Sequence, residues 1–174
     1  MIKAIIFDLN GILIKSQKLS EKFEKDFNIS SSDFLPKLFE VMEKVRQPNA
    51  LPSFTYWEPV LKSWNLAMTE DEFWKYWFKS EKPNEVIIQF ARELHEEKNI
   101  KMIVLSNNFR ERADYYGNYP WLHEVIYKAY FSSRTGLIKP DLKAWTLILE
   151  ENNLAPEECL YIDDQEKNTN AANS

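Results

Sequence analysis

Four short runs of apolar, often β-branched residues, at 3–8, 101–106, 128–132 and 159–163, are separated by longer stretches of helical periodicity. Each run is short for a helix and ends on polar residues, so each predicts a buried strand. Over 85–94, Val86, Phe90 and Leu94 stand at i, i+4 and i+8 and predict a helix packed through that stripe. A second helix is expected over 142–150, with Trp145 and Leu149 at the same spacing, Pro140 ahead of it and Asp141 as its cap. Strands alternating with helices predict an α/β fold: a doubly wound, three-layer parallel sheet with crossover helices.

Residues 16–82 break the alternation. Four helical stretches are predicted, at 19–27, 32–45, 56–64 and 69–78. Asp33 or the serines before it cap the second, and Thr69 with Glu72 forms a capping box for the fourth. The expected organisation is a core domain of residues 1–15 and 83–174 carrying an inserted helical subdomain at 16–82. Four of the six tryptophans (Trp57, Trp64, Trp74 and Trp77) fall in that insertion. They fill the core of a small bundle, or one or two of them face a cleft and shape a pocket.

Composition narrows the function classes. Hydrophobic content of 44% with 28% charge suits a globular protein, and a net charge of −5 argues against a nucleic-acid partner. A small anionic substrate is still compatible, because a local cation or bound metal overrides the global charge. The one cysteine, Cys159, forms no internal disulfide, and its neighbours Leu160-Tyr161-Ile162 read as strand. The chain enters its first strand directly after Met1, and no apolar run reaches the roughly 18 residues of a membrane span. A soluble, cytoplasmic protein with no membrane partner is expected. After Asp163-Asp164 the last helix has barely begun at Ser174, which reads either as a truncated product or as an open sheet edge.

The chemistry gathers at the polar ends of the strands. Asp8 follows Ile5-Ile6-Phe7 and precedes Gly11, and open α/β sheets bind ligands at the carboxyl ends of their strands. Ser106-Asn107-Asn108, the loop Lys139-Pro140 and the pair Asp163-Asp164 occupy equivalent places. Singly, each has an ordinary explanation: a turn, a solvated lysine, an acidic loop. Together they supply a carboxylate nucleophile, a hydroxyl, a cation and the hard oxygens that Mg²⁺ prefers.

The strings Phe7-Asp8-Leu9-Asn10-Gly11-Ile12-Leu13, Val104-Leu105-Ser106-Asn107-Asn108, Gly136-Leu137-Ile138-Lys139-Pro140-Asp141 and Tyr161-Ile162-Asp163-Asp164-Gln165 occur in this order. They resemble the four motifs of the haloacid dehalogenase (HAD)-like hydrolase superfamily, subfamily I, over essentially the whole chain. The insertion falls where that subfamily carries a helical cap of the first type. The resemblance implies an Mg²⁺-dependent phosphatase of a small phosphomonoester, such as a sugar phosphate or nucleotide, acting through an aspartyl-phosphate on Asp8. It also implies that Ser106 and the Asn107 amide bind the phosphoryl group and that Lys139 neutralises it. Mg²⁺ would be held by Asp8, the Asn10 carbonyl, Asp163 and Asp164, with Asn168 nearby. Substrate choice would fall to the cap and its surroundings, among them Tyr56, Trp57, Lys15 and Arg46.

Asn10 departs from the pattern. Family phosphatases have a second aspartate there, which protonates the leaving oxygen and then activates water. An amide does neither, and general acid–base catalysis is worth roughly 10²–10⁴-fold. Three explanations stand open: a substitution that traps substrate, a slow or specialised hydrolase, and a catalytically silent binding or regulatory protein. Comparing turnover before and after Asn10→Asp is expected to separate a disabled phosphatase from a non-enzyme. A dehalogenase fits less well, since related dehalogenases carry tyrosine there and need no metal. His95 and His123 lie outside the motifs and are expected to serve packing or the surface. The sequence does not set the oligomeric state.

Overall fold

A computed structural model describes residues 1–174. Strand β1 (Ala4–Phe7) is followed by a two-residue strand β2 (Ile14–Lys15) and by helices α1 (Leu19–Phe27), α2 (Ser31–Val45), α3 (Phe54–Ser63) and α4 (Glu70–Phe78). Next come β3 (Lys82–Pro83), α5 (Glu85–Lys98), β4 (Lys101–Ser106), α6 (Arg110–Tyr116) and α7 (Pro120–Val125). The chain finishes with β5 (Lys128–Phe131), α8 (Ser132–Thr135), α9 (Lys143–Asn152), β6 (Cys159–Ile162) and α10 (Glu166–Ala172).

The main sheet is parallel throughout, in the order β5-β4-β1-β6. The chain starts at an inner strand, builds outward through β4 and β5, then returns to place β6 on the other side of β1. That reversal puts a topological switch point beside β1, so the loops after the strands splay apart there and leave a crevice. Side chains alternate between the two faces with the period of two that a pleated strand imposes. Ile5, Phe7, Met102 and Val104 pack against Ile88 and Ala91 of α5 and Trp121, Leu122 and Val125 of α7. Ala4, Ile6, Ile103, Leu105 and Tyr130 pack on the opposite face against Ala144, Trp145 and Ile148 of α9. Both faces are covered, as the continuous apolar runs require.

Helices α1–α4 surround a separate hydrophobic cluster that includes Phe23, Phe34, Val41, Trp57, Phe73 and Trp77, joined from outside by Phe109. The antiparallel ribbon of β2 and β3 ties the two ends of this helical segment together. Ser30 accepts a hydrogen bond from the Asp33 amide to cap α2, and the Thr69–Glu72 capping box starts α4. Lys22 is buried and donates to the Tyr76 carbonyl, so an unmet acceptor at the end of α4 gains a charged partner.

Four expectations need correction. In α5, Val86 and Phe90 are exposed, at 76% and 50%, and the buried face runs through Ile88 and Ala91 instead. The helix has apolar residues on more than one face, so spacing alone did not select the packed one. Trp57 is completely buried among Phe34, Phe73 and Trp77, which leaves it no surface for a substrate. Cys159 is only half-buried, because β6 is an edge strand and Leu160 beside it is exposed. Leu142, not Asp141, is the N-cap of α9; Asp141 stands one residue before it and accepts from the Lys143 amide at 3.0 Å. No helix is long and apolar enough to cross a membrane.

Candidate active site

The crevice gathers the polar strand ends at one point. Asp8, directly after β1, is buried, and its Oδ1 accepts from the Leu9 amide at 2.8 Å. Lys139, from the loop between α8 and α9, is buried as well. Its Nζ lies 3.0 Å from Asp8 Oδ1 and 2.7 Å from Asp163 Oδ2. Both contacts to Asp8 fall on Oδ1, so Oδ2 is the oxygen available for chemistry. Carboxylate oxygens of Asp8, Asp163 and Asp164 lie within 4.8 Å of one another. One lysine and three carboxylates leave a local excess of negative charge, and hard oxygens in that arrangement fit a small divalent cation such as Mg²⁺.

The three acids are not equivalent. Asp163 Oδ2 accepts from Lys139 Nζ, from Asn168 Nδ2 at 2.9 Å and from the Tyr161 hydroxyl, while its Oδ1 accepts from the Gln165 amide at 2.8 Å. Burial alone would raise the Asp163 carboxyl, but these donors outweigh it and hold the group below the ordinary carboxylate range. Asp8 goes the other way: burial lifts its carboxyl, Lys139 offsets only part of that, and the charge of Asp163 adds to it. Asp164 is exposed, and its carboxylate packs against Gly11. A Cβ on Gly11 would stand 2.5 Å from Asp164 Oδ2, and the φ of +97° there already favours glycine. Asp164 and Asp8 therefore offer the oxygens most open to a cation, while Asp163 mainly anchors Lys139.

Asn107 does something the sequence did not suggest. Its side chain clamps the backbone of Lys139, donating to the Lys139 carbonyl at 2.9 Å and accepting from the Lys139 amide at 2.9 Å. The side chain is thus a brace for the lysine loop, and only the backbone remains for an anion. Asn168 likewise braces Asp163 rather than facing the crevice. Ser106, the last residue of β4, is buried, and its Oγ accepts from Asn108 Nδ2 at 3.0 Å.

Asn10 is held on both sides. Its Nδ2 donates to the Tyr116 hydroxyl at 2.6 Å, and its Oδ1 accepts from Asn108 Nδ2 at 2.9 Å. Behind it, the Tyr116 hydroxyl donates to Glu81 Oε2 at 2.5 Å and accepts from Arg112 Nε at 2.7 Å. Arg112 pairs with Glu81 Oε1 at 2.6 Å. Burial would lower the Arg112 guanidinium, but Tyr116 and Glu81 more than compensate and hold it above its usual range. Glu81, Arg112 and Tyr116 have no place among the sequence motifs, and Asn108 is there only as the end of the Ser106-Asn107-Asn108 string. The one available signal was the i, i+4 spacing of Arg112 and Tyr116 on a helix.

A cleft of about 400 Å³ lies beside the helical segment, lined among others by Leu38, Arg46, Trp77, Arg112 and Gln165, while Asp8, Ser106 and Lys139 do not line it. Arg46 Nε is buried there without a partner. Burial and the nearby Arg112 lower the Arg46 guanidinium, and the carboxylate of Asp8 pulls the other way. His95 bonds the Ile100 carbonyl and His123 the Gly117 carbonyl, both outside the crevice.

Comparison with known proteins matches this geometry to a family. The model of the haloacid dehalogenase-like hydrolases matches residues 2–174. Among solved structures, a HAD family enzyme from Bacteroides thetaiotaomicron superposes with a TM-score of 0.81 at 20% identity, covering 99% of this chain and 89% of that one. The same enzyme in complex with magnesium and inorganic phosphate superposes at 0.80 and 18% identity, covering 99% and 90%. A predicted HAD-like family hydrolase from Porphyromonas gingivalis gives 0.76 at 22% identity, covering 99% and 87%. At these identities the superpositions establish the shared fold. No curated protein sequence matches.

Proposed function

This chain belongs to the haloacid dehalogenase-like hydrolases, and we propose that within the family it is an Mg²⁺-dependent phosphatase of a small phosphomonoester. The observation that carries the proposal is the placement of Lys139 Nζ between Asp8 and Asp163, with Asp164 close by. A buried carboxylate with one oxygen held and the other open suits a nucleophile, and the lysine is a fixed positive charge where phosphoryl charge develops.

In this reading Asp8 Oδ2 attacks phosphorus and the P–O bond to the leaving group breaks, giving an aspartyl-phosphate. Ser106 and the backbone of Asn107 bind the phosphoryl oxygens, and Lys139 stays paired with the nucleophile throughout. Asp8, Asp164 and the Asn10 carbonyl would hold Mg²⁺, with Asp163 supporting them from behind. When bound, the metal supplies further positive charge to the phosphoryl oxygens. Asn10 moves no proton, so the leaving oxygen takes its proton from solvent and water attacks the aspartyl-phosphate without a general base at this position. Slow turnover and a preference for good leaving groups follow. The bacterial neighbour that binds magnesium and inorganic phosphate supports the metal and the anion.

Residues 16–82 form the cap in this reading and 1–15 with 83–174 the core, supported by the separate cluster of α1–α4 and the ribbon at its base. Substrate choice belongs to the cleft: Arg46 and Trp77 come from the cap, Arg112 and Gln165 from the core, and together they suit a small polar organic phosphate. The test is hydrolysis of an aryl phosphate with Mg²⁺ and with EDTA. Activity in Mg²⁺ that disappears in EDTA and in Asp8→Asn supports the proposal; activity retained by Asp8→Asn overturns it. Asn10 favours one second reading, a scaffold that binds phosphate without turning it over, which Mg²⁺-dependent phosphate binding with no hydrolysis would identify.

A further inference from the structure

The contacts around Asn10 have a direction. A tyrosine hydroxyl carries one proton and two lone pairs. Tyr116 Oη meets two groups that only donate, Asn10 Nδ2 and Arg112 Nε, and one that only accepts, the carboxylate of Glu81. Its proton therefore lies toward Glu81, and its capacity is full. That orients the amide of Asn10: a flipped side chain would set Oδ1 against an oxygen with no proton to offer. Asn10 Oδ1 then faces Asn108, which uses both hydrogens of Nδ2, one on Asn10 Oδ1 and one on Ser106 Oγ. Asn108 is 1% exposed and its own Oδ1 has no partner. The chain of bonds thus keeps its direction even though one acceptor stays unmet. At the far end, Ser106 Oγ is already an acceptor, which leaves its proton to donate.

We infer that Tyr116, held by Glu81 and Arg112, is a positioning residue that makes position 10 an amide site and, through Asn108, presents the Ser106 hydroxyl as a donor to the bound anion. The inference rests on the proposed phosphate site at Asp8. It changes the expectation for Asn10→Asp. An aspartate there would place a negative oxygen against Tyr116 Oη, whose proton is committed to Glu81, so restoring the acid alone does not restore the catalyst. Glu81→Gln reverses the relay. In that variant the new side-chain carbonyl pairs with Arg112 and the new amide donates to Tyr116, which frees the tyrosine proton for a carboxylate at position 10. Glu81 sits just before β3, at the end of the helical segment, so the relay also links that segment to the site.

The experiment uses five proteins: wild type, Tyr116→Phe, Glu81→Gln, Asn10→Asp and the Asn10→Asp/Glu81→Gln double variant. Each is examined for thermal melting, inorganic phosphate binding in Mg²⁺, aryl phosphate kinetics and side-chain amide NMR signals. Loss of one oriented hydrogen bond predicts about tenfold weaker phosphate binding and a matching rise in KM for Tyr116→Phe, with kcat changed less. Asn10→Asp alone gives no gain in kcat, and the double variant exceeds it by roughly tenfold or more, a non-additivity that a merely structural role would not produce. Tyr116→Phe leaving phosphate affinity and KM unchanged, or Asn10→Asp alone matching the double variant, overturns the inference. Wild type binding no phosphate in Mg²⁺ overturns the proposed function instead. In that case the relay is still judged by NMR: the ligand-free Asn10 and Asn108 amide signals shift in Tyr116→Phe and Glu81→Gln, and unshifted signals refute it.

Discussion

Replacing Lys139 with methionine keeps most of the stem and removes the charge. The lysine side chain is 2% exposed, and its partners Asp8 and Asp163 are 6% and 0% exposed. The variant leaves two buried carboxylates side by side without their shared cation. Breaking a buried ion pair by removing one partner costs about 3–5 kcal/mol. For a protein of this size each kcal/mol moves the melting temperature by about 2–4 °C, so melting in EDTA falls by roughly 6–20 °C. The loss shrinks as pH drops, because the unpaired carboxyls take up protons instead of staying charged in the interior. Mg²⁺ brings positive charge back to the same oxygens, and a ligand at about 100 times its Kd returns about 2.7 kcal/mol. Melting curves of Lys139→Met in EDTA and in Mg²⁺ therefore show a deep fall and a partial recovery, with the recovery larger than the Mg²⁺ effect on wild type. Adding Asp164→Asn removes the recovery. A fall below about 2 °C in EDTA would refute the reasoning, since the pair would then not be buried in the sense that matters energetically.

Gly11→Ala puts a methyl against the Asp164 carboxylate in a left-handed backbone position, and should weaken Mg²⁺ binding by about tenfold while costing about 1 kcal/mol of stability, measured by calorimetric titration and urea melts. Without metal, Asp8→Asn should melt above wild type at neutral pH, because the raised carboxyl of Asp8 costs folding energy whenever it is ionised; the gap closes as pH falls through the folded pKa. Asp163→Asn should melt below wild type, because a depressed carboxyl contributes stability above its unfolded pKa and loses it as pH falls through the folded value. Trp57→Ala empties a fully buried site among three aromatic rings, and should cost about 3–5 kcal/mol in a urea titration, a large share of a typical domain's about 5–15.

The parts of the site that were legible in the sequence share one property: they follow apolar strands at once. Asp8, Ser106 and Asp163-Asp164 each end a β-branched or aromatic run, and parallel pairing brings such ends together whatever lies between. Lys139 is also legible, through its motif with Pro140. The relay behind Asn10 lacks any such marker. Asn10 and Tyr116 are 106 positions apart, and Tyr116 and Glu81 are 35 apart. Glu81 follows the end of α4, and Arg112 and Tyr116 share only an i, i+4 spacing on a short helix. Asn107 was read as a site residue, but its side chain's grip on the Lys139 backbone depends on a loop conformation that spacing cannot give. The α5 face failed for a different reason: Val86, Ile87, Ile88, Phe90 and Ala91 offer several apolar stripes, and only packing against the sheet and α7 decides which is covered.

The most direct test is to quench the protein with acid during turnover of an aryl phosphate in Mg²⁺ and to map the phosphoryl group by peptide mass spectrometry. Because Asn10 does not activate water, the aspartyl-phosphate should accumulate, and the peptide containing Asp8 should carry the added phosphoryl mass, lost in Asp8→Asn and in EDTA. Turnover with that peptide unmodified, or with the phosphoryl group on another residue, would contradict the account.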